Sequence, residues 1–151
     1  MGKASYSKIS IDHLKSHFKF NVKGGLKYIL GIEVITTENS IELSQRQYIT
    51  DILSRFGMQN CRTVQTPIDP KAPLVKADRS EPSHERTLYQ QMVASLMYLV
   101  TCTRPDLAFS VSYISCFSSH RLKCHQTGIK RIFHYLARTQ SLSFKSQCSA
   151  P

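Results

Sequence analysis

The chain has no tryptophan, only six glycines and six prolines in 151 residues, and half as many acids as bases. Nowhere does it carry an apolar run near the ~20 residues that span a bilayer. The first ten residues, MGKASYSKIS, lack the apolar core of a secretion signal, and Tyr6 breaks their loose match to a myristoylation pattern. Five cysteines, an odd number without a CxxC pair, argue against a disulfide framework. These absences point to a reduced intracellular chain, cytoplasmic or nuclear, with no membrane partner. There is no G-x-S-x-G, no plausible Cys–His–Asp order and no glycine loop to cradle phosphate. Internal repeats are missing too.

The scarcest element is negative charge. Ten Asp and Glu oppose twenty Lys and Arg, giving a formal net charge of +10. Asp106 is the last acid; Arg121, Lys123, Lys130, Arg131, Arg138 and Lys145 follow with nothing to neutralise them. A one-signed field of this kind attracts polyanions, nucleic acid before membrane.

What is present reads as α+β. Ile11, Leu14 and Phe18 in 7–18 have helical spacing, with a break at Gly24 and Gly25. YILGIEVITTENSIELS reads as a hairpin turning at TENS, with Gly31 inside its first strand. A glycine there weakens the strand unless the strand bends or another backbone comes close. SQRQYITDILSRFGM is a helix with the capping pair Ser44 and Gln47, an apolar face of Tyr48, Ile49, Ile52, Leu53 and Phe56, and Gly57 as its stop. Residues 58–84 hold four prolines and read as a linker or surface loop. A helix from about Glu85 carries apolar residues at 88, 89, 92, 93, 96, 99 and 100. The phrase TRPD then breaks a greasy stretch. Thr103 is read as the cap of a new helix, Asp106 as complement to its positive end, and Pro105 as tolerated in the first turn. A last helix runs from about Leu122 to Ala137. Ile129, Ile132, Phe133 and Leu136 face inward; Lys123, Lys130, Arg131, His134 and Arg138 share the other side. The tail is thin in apolar residues and is expected to fray.

The basic side of the last helix is the main candidate for binding, through backbone phosphates rather than bases. The alternative is a solvated outer face. Arg104 either pairs with Asp106 or a carbonyl, the weightier reading, or reaches nucleic acid. Cys116, His120, Cys124 and His125 do not have the spacing of a structural zinc site. His13 and His17 stand at i, i+4, able to share a metal but more ordinarily just exposed. No metal site is expected.

Several blocks in order carry a resemblance: GGLKYILGIEV, IELSQRQYITDILSRFGM, TPID, YQQMVASLMYLVTCTRPDLAFSV and GIKRIFHYL. Over roughly residues 12–140 the chain resembles the reverse transcriptase of copia-type long-terminal-repeat retrotransposons. The resemblance implies the end of the palm with an LG hairpin and its helix (1–66), a Pro-rich linker (67–84), a three-helix thumb-like bundle (85–140) and a disordered tail (141–151). It implies a primer grip at Leu30, Gly31 and Ile32, and a primer–template or RNA–DNA duplex as partner. The family's Y-x-D-D strand and RNase H carboxylates have no counterpart here. Mg2+ would be expected only in a complete polymerase, and no cofactor is expected in this stretch. Departures from the family pattern, such as Ala94, Gly128 and Ala137-Arg138-Thr139, suggest a decayed or truncated copy. On that basis the chain is expected to be no enzyme. It would retain salt-sensitive, sequence-blind duplex binding, with a missing palm in trans as a further partner; the alternative is a self-associating or protein-interaction module.

Overall fold

The computed structural model describes residues 10–11, 13–19, 25–37, 39–69, 71, 83–118 and 123–147, without the side chains of 83–85. Residues 10, 11 and 13–17 are helical. Strands β1 (Tyr28–Ile29), β2 (Ile32–Thr36) and β3 (Ser40–Ser44) follow, then helices α1 (Arg46–Arg55) and α2 (Ser83–Cys102). A 3-10 turn (Pro105–Leu107) leads into α3 (Ala108–Ser115), then α4 (Lys123–Arg138) and β4 (Phe144–Gln147). The α+β class read from the sequence holds.

One apolar cluster unites the helices. Ile49, Ile52 and Leu53 from α1 sit with Leu96 and Leu99 from α2, Leu107, Val111 and Ile114, and Ile129, Ile132, Phe133 and Leu136 from α4. Each such side chain contributes about 1.5–3 kcal/mol on burial. Phe56 meets Phe133 edge to face at 5.3 Å. The Tyr89 hydroxyl donates to the Ile114 carbonyl at 2.9 Å, so the ring is buried without an orphaned polar tip. The helix expected to go with the hairpin therefore packs with the bundle, because its Ile49–Ile52–Leu53 stripe has apolar partners only there. Most of the expected linker, 72–82, lies outside the described residues.

The stop of α1 is as expected. Gly57 has φ +67, its N–H reaches the Ser54 carbonyl, and the Met58 N–H reaches the Leu53 carbonyl. This is a Schellman closure, which favours glycine because the left-handed conformation penalises a Cβ. The expected reciprocal pair does not form: Ser44 Oγ accepts from the Arg46 N–H at 3.3 Å, but Gln45 takes the cap position without a side-chain bond and Gln47 bonds Asp51. Thr103 does not cap either. Its hydroxyl donates to the Gln45 side-chain oxygen at 2.7 Å, linking the end of α2 to the start of α1.

The sheet is antiparallel in the order β1-β2-β3-β4. The register places Ile29, Ile32, Val34, Leu43, Phe144 and Ile41 on one face. Tyr28, Glu33, Ser44, Ile35, Glu42 and Lys145 share the other. The tail expected to fray instead supplies β4. Alternation in SFKSQ is weak, and pairing with β3 plus the Ser143–Glu42 hydrogen bond at 2.6 Å fixes it. Gly31 is also placed differently: it lies in a turn between β1 and β2, not inside a strand.

Candidate nucleic-acid interface

Leu30 and Gly31 form the two-residue turn of the β1–β2 hairpin, with φ +50 and +77. Two successive positive φ values are the type I′ pattern, whose twist matches that of the flanking strands. Gly31 meets this need freely; a Cβ there would meet nothing within 4 Å, so its backbone conformation is what calls for glycine. Leu30 pays a conformational cost, since non-glycine residues seldom adopt it. Its side chain is 82% exposed, so burial does not offset that cost. The hydroxyl of Tyr98 donates to the Leu30 carbonyl and pins the tip to α2. Tyr98 is in turn braced edge to face on Tyr48 at 5.0 Å. Leu30 and Gly31 thus stand as a held, exposed tip, while Ile32 is half-buried as the first residue of β2.

On α4 the turn of 100° per residue gathers Lys123, Lys130, His134 and Arg138 within roughly 80° of arc, opposite the buried stripe. Lys123, Lys130 and Arg138 are exposed and His134 is half-buried. The stripe runs for about 22 Å along the helix. Arg131 is drawn aside: its guanidinium bonds the Thr66 carbonyl and hydroxyl and lies 3.7 Å from Asp69. Its charge is already shared with an acid of the preceding loop.

Arg104 does not belong to a binding surface. It is 1% exposed and forms a two-pronged ion pair with Asp106, both bonds 2.9 Å. It also donates to the Thr139 carbonyl at 3.1 Å and hydroxyl at 2.8 Å. The guanidinium lies over the Tyr135 ring, whose hydroxyl bonds Asp106. Burial pushes the Asp106 carboxyl up, but the hydrogen bonds and charge of Arg104, aided by Tyr135, outweigh it and hold the group below the usual carboxylate range. The TRPD break is therefore a clasp: it fastens the entry of α3 to the exit of α4, satisfying a carbonyl left open at the helix end. Arg104 is therefore not a nucleic-acid contact, because its fork is fully engaged inside the fold.

Tyr98 was not singled out from the sequence, and Thr139 was named only within a departure from the family pattern. Tyr98 lies off the apolar stripe of α2, and Thr139 follows α4; only their long-range partners give them roles. Tyr98 holds the tip near the end of α2, and Arg104, just beyond, holds the end of α4. Among the described residues no three of His, Cys, Asp and Glu converge as a metal cluster. No helix of the described residues is long and apolar enough to cross a membrane.

Residues 7–70 match the family model described as reverse transcriptase (RNA-dependent DNA polymerase). The chain is 35% identical over 86% of its length to the retrovirus-related Pol polyprotein from transposon RE1 of Arabidopsis thaliana, covering 9% of that protein. It is 33% identical over 83% of its length to the Pol polyprotein from transposon TNT 1-94 of Nicotiana tabacum, covering 10%. An uncharacterized mitochondrial protein of Arabidopsis thaliana is 32% identical over 85% of the chain, which covers 52% of it. The chain thus spans about a tenth of the Pol polyproteins it matches. No solved structure matches it. These likenesses overturn the expectation that the chain is no enzyme: the matched family is a polymerase, and the relatives carry Pol names. The expectation treated the acids of one stretch as those of a whole enzyme. The missing Y-x-D-D describes this stretch alone.

Proposed function

The chain belongs with the reverse transcriptases of retrotransposon Pol polyproteins, and from that premise we propose that this stretch is a duplex-holding part of such an enzyme. The observation that carries the reading is the acid-free stripe Lys123, Lys130, His134 and Arg138 on one side of α4. Its cations follow a phosphate backbone, and the Leu30–Gly31–Ile32 tip approaches the same strand end. Contacts of this type hold shape and charge, not base sequence. The partner class is a primer–template or RNA–DNA duplex. Each phosphate neutralised releases condensed counterions, so affinity falls as salt rises. Fluorescence anisotropy with short duplexes of unrelated sequence tests this. Equal binding to each, weakening steadily with salt, supports it; no binding at low salt, or binding indifferent to salt, refutes it.

A second reading, self-association, is favoured by the apolar face of the sheet. Ile29, Ile41 and Phe144 lie there 47%, 40% and 47% exposed. Sedimentation over a range of protein concentrations tests it, with a concentration-independent monomer as the contrary result.

A further inference from the structure

The helical residues 13–17 carry chemistry that duplex holding does not use. His13 and His17 stand one turn apart, exposed, with ring centroids 4.9 Å apart and planes inclined at 51°. Two imidazoles sharing one ion at about 2.1 Å place their centroids roughly 4.5 Å apart for a right angle at the metal and roughly 5.2 Å for a tetrahedral one. The observed spacing lies between those limits without any movement of the backbone.

The surrounding hydrogen bonds fix which nitrogen of His17 is available. The Ser16 hydroxyl donates its proton to the His13 carbonyl at 2.6 Å, so toward His17 its oxygen can only accept. His17 Nδ1 lies 2.8 Å from that oxygen and 3.1 Å from the same carbonyl, which also can only accept. Nδ1 must therefore carry the hydrogen, and Nε2 keeps the lone pair. An outer nitrogen donating to a backbone carbonyl is the arrangement that orients metal-binding histidines.

We propose that His13 and His17 form a two-imidazole site for a divalent cation of the copper, nickel and zinc class. Imidazole suits these ions, whereas Mg2+ prefers carboxylate and water oxygens, so the site is distinct from polymerase metal chemistry. The remaining coordination positions are open to water or to a donor from a partner. Bridging one helical turn, the ion holds 13–17 in helical form.

Calorimetric titration of the whole chain with Ni2+ and with Mg2+ tests the proposal, alongside His13→Ala, His17→Ala and His134→Ala. Ni2+ is expected to bind and Mg2+ not. Each of the first two substitutions is expected to weaken Ni2+ by about tenfold or more, a loss that even removal of a supporting partner can cause; the third should leave it unchanged. Nitrogen NMR with Zn2+ gives a second readout, in which the Nε2 signal of His17 moves together with a ring-nitrogen signal of His13. Ni2+ binding that survives either single substitution, or a zinc shift confined to one ring, overturns the assignment. None of these readouts depends on nucleic acid.

Discussion

Helices α1 to α4 and the four strands solve the burial problem in opposite ways. The helices interlock through Leu96, Leu99, Ile132, Phe133 and Leu136, all fully buried, and enclose a charged clasp. The strands bury almost nothing: β1 and β4 are exposed throughout, and the sheet's apolar face keeps Ile29, Ile41 and Phe144 in the open. One part of the chain supplies its own stability, and the other is held by backbone pairing and the Tyr98 contact. The difference separates the scaffold, which sets the direction of the basic stripe, from a tip presented at its margin.

Core truncation should separate the two regions most sharply. Leu96→Ala or Ile132→Ala is expected to cost about 2–5 kcal/mol of unfolding free energy in denaturant melts. Ile35→Ala, on the exposed side of β2, should cost under about 1 kcal/mol. Comparable losses at both places would erase the distinction.

Next in size is the clasp. Asp106→Asn leaves Arg104 buried and uncompensated, and should cost about 3 kcal/mol, the lower end for a broken buried pair because Asp106 is partly exposed. The pH dependence has a definite sign. The folded carboxyl lies below its ordinary value of 3.8, so its contribution is complete above that pH and is lost as pH falls through the folded value. Acid melts of the parent chain should show this decline, and Asp106→Asn should lack it.

Much of the helical part was legible in the sequence. The stripes of α1 and α4 repeat at 3.6 residues, and Gly57 marks a stop that only a left-handed residue completes. The LG tip was located but misassigned to a strand, because one glycine does not reveal that its neighbour Leu30 is also left-handed. Thr103 satisfies the local rule for a cap, yet a buried partner 58 residues away, Gln45, wins its hydroxyl. Arg104 carries the same lesson: its fork could face solvent or Thr139, and only the packing of α4 decides. β4 was missed because its order comes from β3, not from its own pattern.

Smaller effects sharpen the contrast at the margins. Gly57→Ala should cost about 1 kcal/mol, since φ +67 strains any Cβ-bearing residue. Tyr98→Phe should change global stability by no more than about 1 kcal/mol, the worth of one exposed hydrogen bond. Its consequence should be local, seen as faster amide exchange around Leu30 and Gly31 while the α2 and α4 amides stay protected. Equal acceleration in both regions would mean that the tip and the helices are one cooperative unit.

The most direct test is the salt dependence of duplex binding by the parent chain and by Lys123→Ala/Lys130→Ala/Arg138→Ala. If the α4 stripe holds phosphates, the slope of log affinity against log salt should become shallower by about 0.9 for each cation that made a contact, nearly three in all. An unchanged slope, with binding intact, would place the nucleic acid elsewhere and contradict the account.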